Sequence, residues 1–93
     1  MLRFYSNPQT NSTRVVVVGT HSEGMLNIAV ARCSKKDNFI KKKGRMIAEG
    51  RLLKGKFFKT IPLETLSTTE FIRIAQEQII PEVVETKKVF LIK

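Results

Sequence analysis

RVVVVGTHSEGMLNIAVARC, residues 14–33, holds two runs of strand-forming residues around a polar centre. RVVVVG puts β-branched side chains on both faces of a strand, whereas MLNIAVAR alternates Leu26, Ile28 and Val30 with Asn27, Ala29 and Ala31. THSE, set between Gly19 and Gly24, supplies the polar loop of a hairpin. An antiparallel pair is therefore expected here, within a domain that opens with three antiparallel strands. Its first strand asks for apolar cover on both faces, and its second offers one apolar face and one small or polar face.

Upstream, LRFYS reads as a further strand, closed by the turn-forming cluster NPQTNST. Downstream, a helix is predicted over about residues 38–54, with Asp37 or Ser34 as N-cap and Gly55 as the C-terminal stop. At 100° per residue Phe39, Ile40, Met46, Ile47, Gly50 and Leu53 fall on one stripe, and Lys41, Lys42 and Arg45 project from the other side. Glu49 lies four residues after Arg45 and is expected to pair with it. The helical glycines need a reason, since each costs up to about 1 kcal/mol relative to alanine. Gly50, within the stripe, would let the helix sit close to the sheet, and Gly44 would serve close packing near the border of the faces.

KFFKTIPL then reads as a strand, and Ser67 opens a second helix through the box S-T-T-E, with Phe71, Ile72, Ala75 and Ile79 as its buried stripe. Pro81 ends or kinks that helix, and KKVFLIK is a closing edge strand. The predicted fold is α+β, a mixed, largely antiparallel sheet of about five strands with two helices in the order β-β-β-α-β-α-β, as one domain over residues 1–93. Both helices are placed on one face of the sheet. The other is left partly wet along Asn27, Ala29 and Ala31, and the valines of the second strand make a homodimer across that face an alternative.

Composition sets further limits. Ninety-three residues with a 42% apolar share bury one modest core. The N-terminus lacks the apolar core of a signal peptide, and VVVV is far shorter than the roughly 20 residues of a membrane span. A soluble, unprocessed, cytoplasmic protein is expected, in keeping with a single cysteine that has no partner within the chain.

The net charge of +9 is local. Eleven basic residues lie between Arg32 and Lys59 against Asp37 and Glu49, so this segment carries the whole excess, while six bases and six acids balance elsewhere. A merely solubilising surface would have spread the charge.

No catalytic constellation accompanies it. Cys33 stands before a helix N-terminus beside Lys35 and Lys36, which favours a thiolate, but the phosphatase spacing fails because position 39 is Phe. His21 and Glu23 lack a nucleophile or second carboxylate. His21 and Cys33 match no zinc spacing, Asp37 with Glu49 makes no nuclease triad, and no glycine run forms a phosphate loop. No cofactor and no metal are expected, nor is an enzyme.

What the charge suits is phosphate. Lysines and arginines on one helix and its flanking loops release counterions from a nucleic acid on contact. The helix N-terminus near Ser34–Asn38 adds partial positive charge and free N–H groups for an anion. Candidate contacts are Lys35, Lys36, Lys41, Lys42, Lys43, Arg45, Arg51, Lys54 and Lys56, with the two arginines suited to a bidentate grip. Phe57 and Phe58 alternate along a strand, so one ring should face outward unless the sheet is covered on both sides; an exposed ring beside Lys56 and Lys59 could stack on an unpaired base, while burial of both rings is the plainer reading.

RCSKKDNFIKKKGRMIAEGRL, residues 32–52, resembles a pattern in small uncharacterised proteins of bacteriophages and other mobile elements, with Asp and Phe entering a basic helix, then G-R, I-A and G-R. The resemblance implies an accessory protein of a phage or plasmid, and no particular activity. Such proteins commonly bind nucleic acid or block a host protein. Two functions are thus expected from this chain: non-enzymatic binding of DNA or RNA, or an inhibitor or adaptor that docks its basic patch on an acidic protein surface.

Overall fold

A computed structural model describes residues 1–6, 14–33 and 41–85, without the side chains of Cys33, Lys41 and Glu85. Four strands, β1 (Leu2–Tyr5), β2 (Arg14–Ser22), β3 (Met25–Cys33) and β4 (Lys59–Pro62), form one sheet in chain order. Every neighbouring pair is antiparallel. Helix α1 (Lys41–Leu53) joins β3 to β4. After β4 comes one helical run, α2 (Thr68–Ile74), a widened π turn (Ala75–Ile79) and α3 (Ile80–Glu85). The α+β class and the order β-β-β-α-β-α are as predicted; the described sheet has four strands, all antiparallel, where a mixed sheet of about five was expected, because each strand is joined so as to run back along its neighbour. The expected closing strand, the turn cluster at 7–13, the helix cap at Ser34 or Asp37, and Phe39 and Ile40 lie outside the described residues.

The central hairpin is tighter than its sequence suggests. Thr20, His21 and Ser22 continue β2, paired with Asn27, Leu26 and Met25, and only Glu23 and Gly24 turn the chain. Both have positive φ, 52° and 73°, as the type I′ turn requires, and its twist matches that of the strands it joins. The tip is tied to the end of β4: Leu63 N–H donates to Gly24 O at 2.9 Å, and Leu63 O takes a hydrogen bond from His21 Nε2. At the opposite end Ser6 closes the β1–β2 pair twice, donating its N–H to Val15 O at 2.9 Å while its Oγ accepts from Val15 N–H at 2.8 Å.

The helices lie on opposite faces of the sheet, not on one. Phe71, Ile74, Ala75, Ile79, Ile80 and Val83 of the run 68–85 pack with Val15, Val17, Leu26, Ile28 and Val30. Ala48 and Leu52 of α1, with Ile47 half-buried, pack with Val16, Val18, Ala29 and Ala31. The two-sided valines of β2 are therefore covered within the chain itself, which removes the reason for a dimer across an open face. The sheet's α1 side is open only past the helix end, where Thr60 Oγ1 donates to Asn27 Oδ1 at 3.2 Å. Cover on both faces leaves the sheet as the middle of three layers.

The second helix follows its sequence closely. Ser67 Oγ accepts from the N–H of Glu70 at 3.1 Å, and Phe71 is buried at the heart of the contact with the sheet. Ile72 is only half-buried; Ile74 takes its place in the core. Pro81 does not end this helix, which continues to Glu85. Its ring would press on the carbonyl four residues back, and the turn just before it is widened, with Ile80 N–H donating to Ala75 O five residues earlier.

Helix α1 is turned by roughly half a revolution from the stripe read in the sequence. Met46 is 62% exposed and Leu53 80% exposed, whereas Gly44, Ala48 and Leu52 are buried. The physical reason is the surface that receives it. Ala29 and Ala31 leave a shallow bed, and small residues at 44 and 48 let the helix settle into it, where Met46 and Leu53 would hold it off. Gly44 is buried, in keeping with the close packing expected of it, whereas Gly50, expected against the sheet, has nothing within 4 Å of a Cβ placed on it.

Candidate nucleic-acid interface

Among the described residues, the outer side of α1 and the turn that follows it carry four exposed lysines. Lys42 and Lys43 are exposed on the first described turn of the helix, and Lys54 and Lys56 are exposed just past its end. Lys41 begins the helix, and Lys35 and Lys36 lie outside the described residues. The structure thus gathers four of the nine candidate residues onto one exposed segment and turns two others inward or into ion pairs.

Those two are the arginines. Arg45 is half-buried, its Nε 3.8 Å from Glu49 Oε2, in the i, i+4 pair expected from the sequence. Arg3 of β1 reaches the same oxygen, so Glu49 holds α1 to the edge strand as well as to its own helix. Arg51 is half-buried and donates from Nη1 to Val30 O at 2.7 Å. Burial lowers its guanidinium pKa, because the charged form loses water there. Arg51 is therefore a strut between α1 and β3, and a bidentate grip on phosphate would require it to leave the sheet. Lys59, outside the candidate set, pairs with Glu82 at 2.9 Å.

The C-terminal turn of α1 is built to a fixed shape. Gly55 N–H donates to Leu52 O at 3.2 Å and Lys56 N–H to Arg51 O at 2.8 Å, with Gly55 at φ 73°. Together they form the Schellman motif, in which a glycine in the left-handed region closes the helix and satisfies its last carbonyls. Two residues on, Phe58 N–H donates to Ile28 O at 2.7 Å, and the Phe58 ring packs against the core beside Leu26 and Ile28. Phe57, between these two anchors, is left 41% exposed. Both phenylalanines lie ahead of β4 and not within it, and the plainer expectation that both rings are buried fails at Phe57.

The crest of α1 was not legible beforehand. Met46, Gly50 and Leu53 project away from the sheet, with Lys42 on one flank and Lys43 and Lys54 on the other. Large apolar residues in a helix signal a core face, and nothing local marks these two as exceptions.

Charge separates by face. The segment 41–53 carries five basic residues against one acid, and 68–85 carries four acids against one base. Because these helices cover opposite sides of the sheet, the described residues present a basic side and an acidic side. With both helices on one face, these charges would have lain next to each other.

His21 Nε2 bonds a carbonyl, which only accepts, so this nitrogen carries the hydrogen and is not a general base. Among the described residues no group of three His, Cys, Asp or Glu side chains is placed to hold a metal ion, and no helix is long and apolar enough to cross a membrane. No protein-family model, curated protein or solved structure matches the chain at a significant level.

Proposed function

We propose that this is a non-enzymatic nucleic-acid-binding protein that lays the outer side of α1 and its C-terminal turn along a sugar-phosphate backbone. The observation that carries it is the one-sided charge. Lys42, Lys43, Lys54 and Lys56 stand exposed on one side of the sheet, the nearest helical acid, Glu49, is occupied by Arg3 and Arg45, and the surplus of acids lies on the far side. A polyanion would be drawn to one side only, each phosphate contacted releasing counterion and contributing affinity without reading sequence.

Charge reversal tests it. Lys42→Glu, Lys43→Glu and Lys54→Glu together should abolish binding to random-sequence oligonucleotides in a gel-shift series, with the fold intact, since exposed substitutions usually cost within about 0.5 kcal/mol each. Arg73→Glu, exposed on the acidic helix, is the control and should change little. For the parent protein, log K should fall with log salt by about 0.7 to 0.9 per phosphate contacted. Indifference to both duplex and single strand at low salt would refute the proposal.

Met46, Gly50 and Leu53 favour a second reading, in which the same crest docks on an acidic protein surface with an apolar centre, as an inhibitor or adaptor would. An apolar ridge between lysines suits such a cleft better than it suits phosphates. Met46→Ser with Leu53→Ser separates the two: it would weaken docking on protein and leave phosphate contacts in place.

A further inference from the structure

We infer that the nucleic acid is single-stranded and that Phe57 stacks on one of its bases, an inference that rests on the nucleic-acid reading above. Exposed aromatic rings are common enough; what matters here is how this one is held. The Schellman hydrogen bonds fix the backbone up to Lys56, and the bond from Phe58 N–H to Ile28 O fixes it from the other side. The Phe58 ring is spent in the core, so the chain cannot roll over to bury Phe57 without pulling Phe58 out. Phe57 is thus presented outward by a corner already ordered, and little freedom remains to be lost when a ligand covers it.

Its neighbours supply the rest of a single-strand site. From Gly50 to Leu63 the chain has no acid and four bases, of which Lys54 and Lys56 flank the ring position and are exposed. Of the four exposed large apolar residues among those described, Met46, Leu53 and Phe57 all belong to α1 or this turn. A duplex keeps its base faces inside and would meet these groups with phosphate and sugar alone. An unpaired strand offers both parts, a backbone for the lysines and base faces for the ring, and base–aromatic stacking tolerates any base.

The chain contains no tryptophan, so Phe57→Trp installs a single fluorophore at the ring in question. The full chain is titrated with oligo(dT) and oligo(U) of about 12 nucleotides, and with a random duplex of similar length, at about 50 mM salt. Stacking should quench the tryptophan emission with either single strand and not with the duplex. Phe57→Ala should lose on the order of tenfold in single-strand affinity, with duplex affinity unchanged and Phe57→Tyr close to the parent protein. Single-strand binding equal in Phe57→Ala and the parent, or emission unmoved at saturation, would overturn the stacking inference while duplex or backbone binding kept the broader reading alive. Failure of all three oligonucleotides to bind would remove both.

Discussion

Gly19 of β2 lies against Phe71 of the second helix, and adding one methyl group there gives a sharp test of the arrangement. A Cβ at this position would lie 2.6 Å from Phe71 Cε1 and 3.2 Å from Leu26 Cδ1. Carbon atoms in contact prefer about 3.5–4.0 Å, so the ring edge must withdraw by about 1 Å. It has nowhere easy to go, because Phe71 is fully buried in the cluster that includes Ile74, Ala75 and Ile79. Overpacking of this kind costs about 1–3 kcal/mol. Alanine also restricts the unfolded chain, which offsets about 0.4–1 kcal/mol where the backbone is compatible, and φ at Gly19 is not in the left-handed region. Gly19→Ala should therefore destabilise by about 1–2 kcal/mol net, lowering Tm by roughly 5–15 °C in a domain of this size. In urea the midpoint should fall with the slope unchanged. The same substitution in the Phe71→Leu background should cost about 1 kcal/mol less, the coupling of two residues in contact. If Gly19→Ala matched or exceeded the parent midpoint, or cost the same in both backgrounds, the helix would not be seated over Gly19 as described.

Three further substitutions test the rotation of α1. Leu52→Ala should cost about 2–3 kcal/mol, at the low end for a buried leucine because the site lies at the margin of its cluster, while the neighbouring Leu53→Ala should stay within about 0.5 kcal/mol; thermal unfolding followed by circular dichroism distinguishes them, and a reversed order would restore the stripe read from sequence. Gly50→Ala, with open space around the new Cβ, should stabilise by about 0.5–1 kcal/mol in urea titration, and a loss of stability would mean that Gly50 packs against something after all.

The elements that could be read in the sequence are those fixed by a few neighbouring residues. Gly55 as helix stop, Ser67 as cap to Glu70, and the period-2 alternation of β3 each rest on backbone geometry within about six positions, and each stands in the structure. The facing of α1 rests on something else. Its partner surface, Val16, Val18, Ala29 and Ala31, is contributed by two strands, and how deep that surface lies decides whether Met46 or Ala48 turns inward. Counting large apolar residues along the helix carries no information about the bed. The valines of β2 correctly signalled cover on both faces, but a run of valines does not say whether the second cover is another molecule or the next helix of the same chain.

The candidate site divides in the same way. That positive charge would gather between residues 32 and 59 follows from composition alone, yet which cations remain free follows from the rotation of α1, which sends Arg51 to Val30 O and leaves Lys54 outside. The acids of 68–85 balance nothing on the α1 side, because a sheet and two helices stand between the two charged surfaces. With helices about 10 Å across, that separation exceeds two Debye lengths at physiological salt, where screening acts over about 8 Å. A polyanion bound on the α1 side would be held by the local lysines with little opposition from the acidic side. At 0.01 M salt the screening length grows to about 30 Å and the acidic side is felt again. That repulsion would act on any polyanion long enough to bend around the molecule, so the proposed binding should stay on the α1 side.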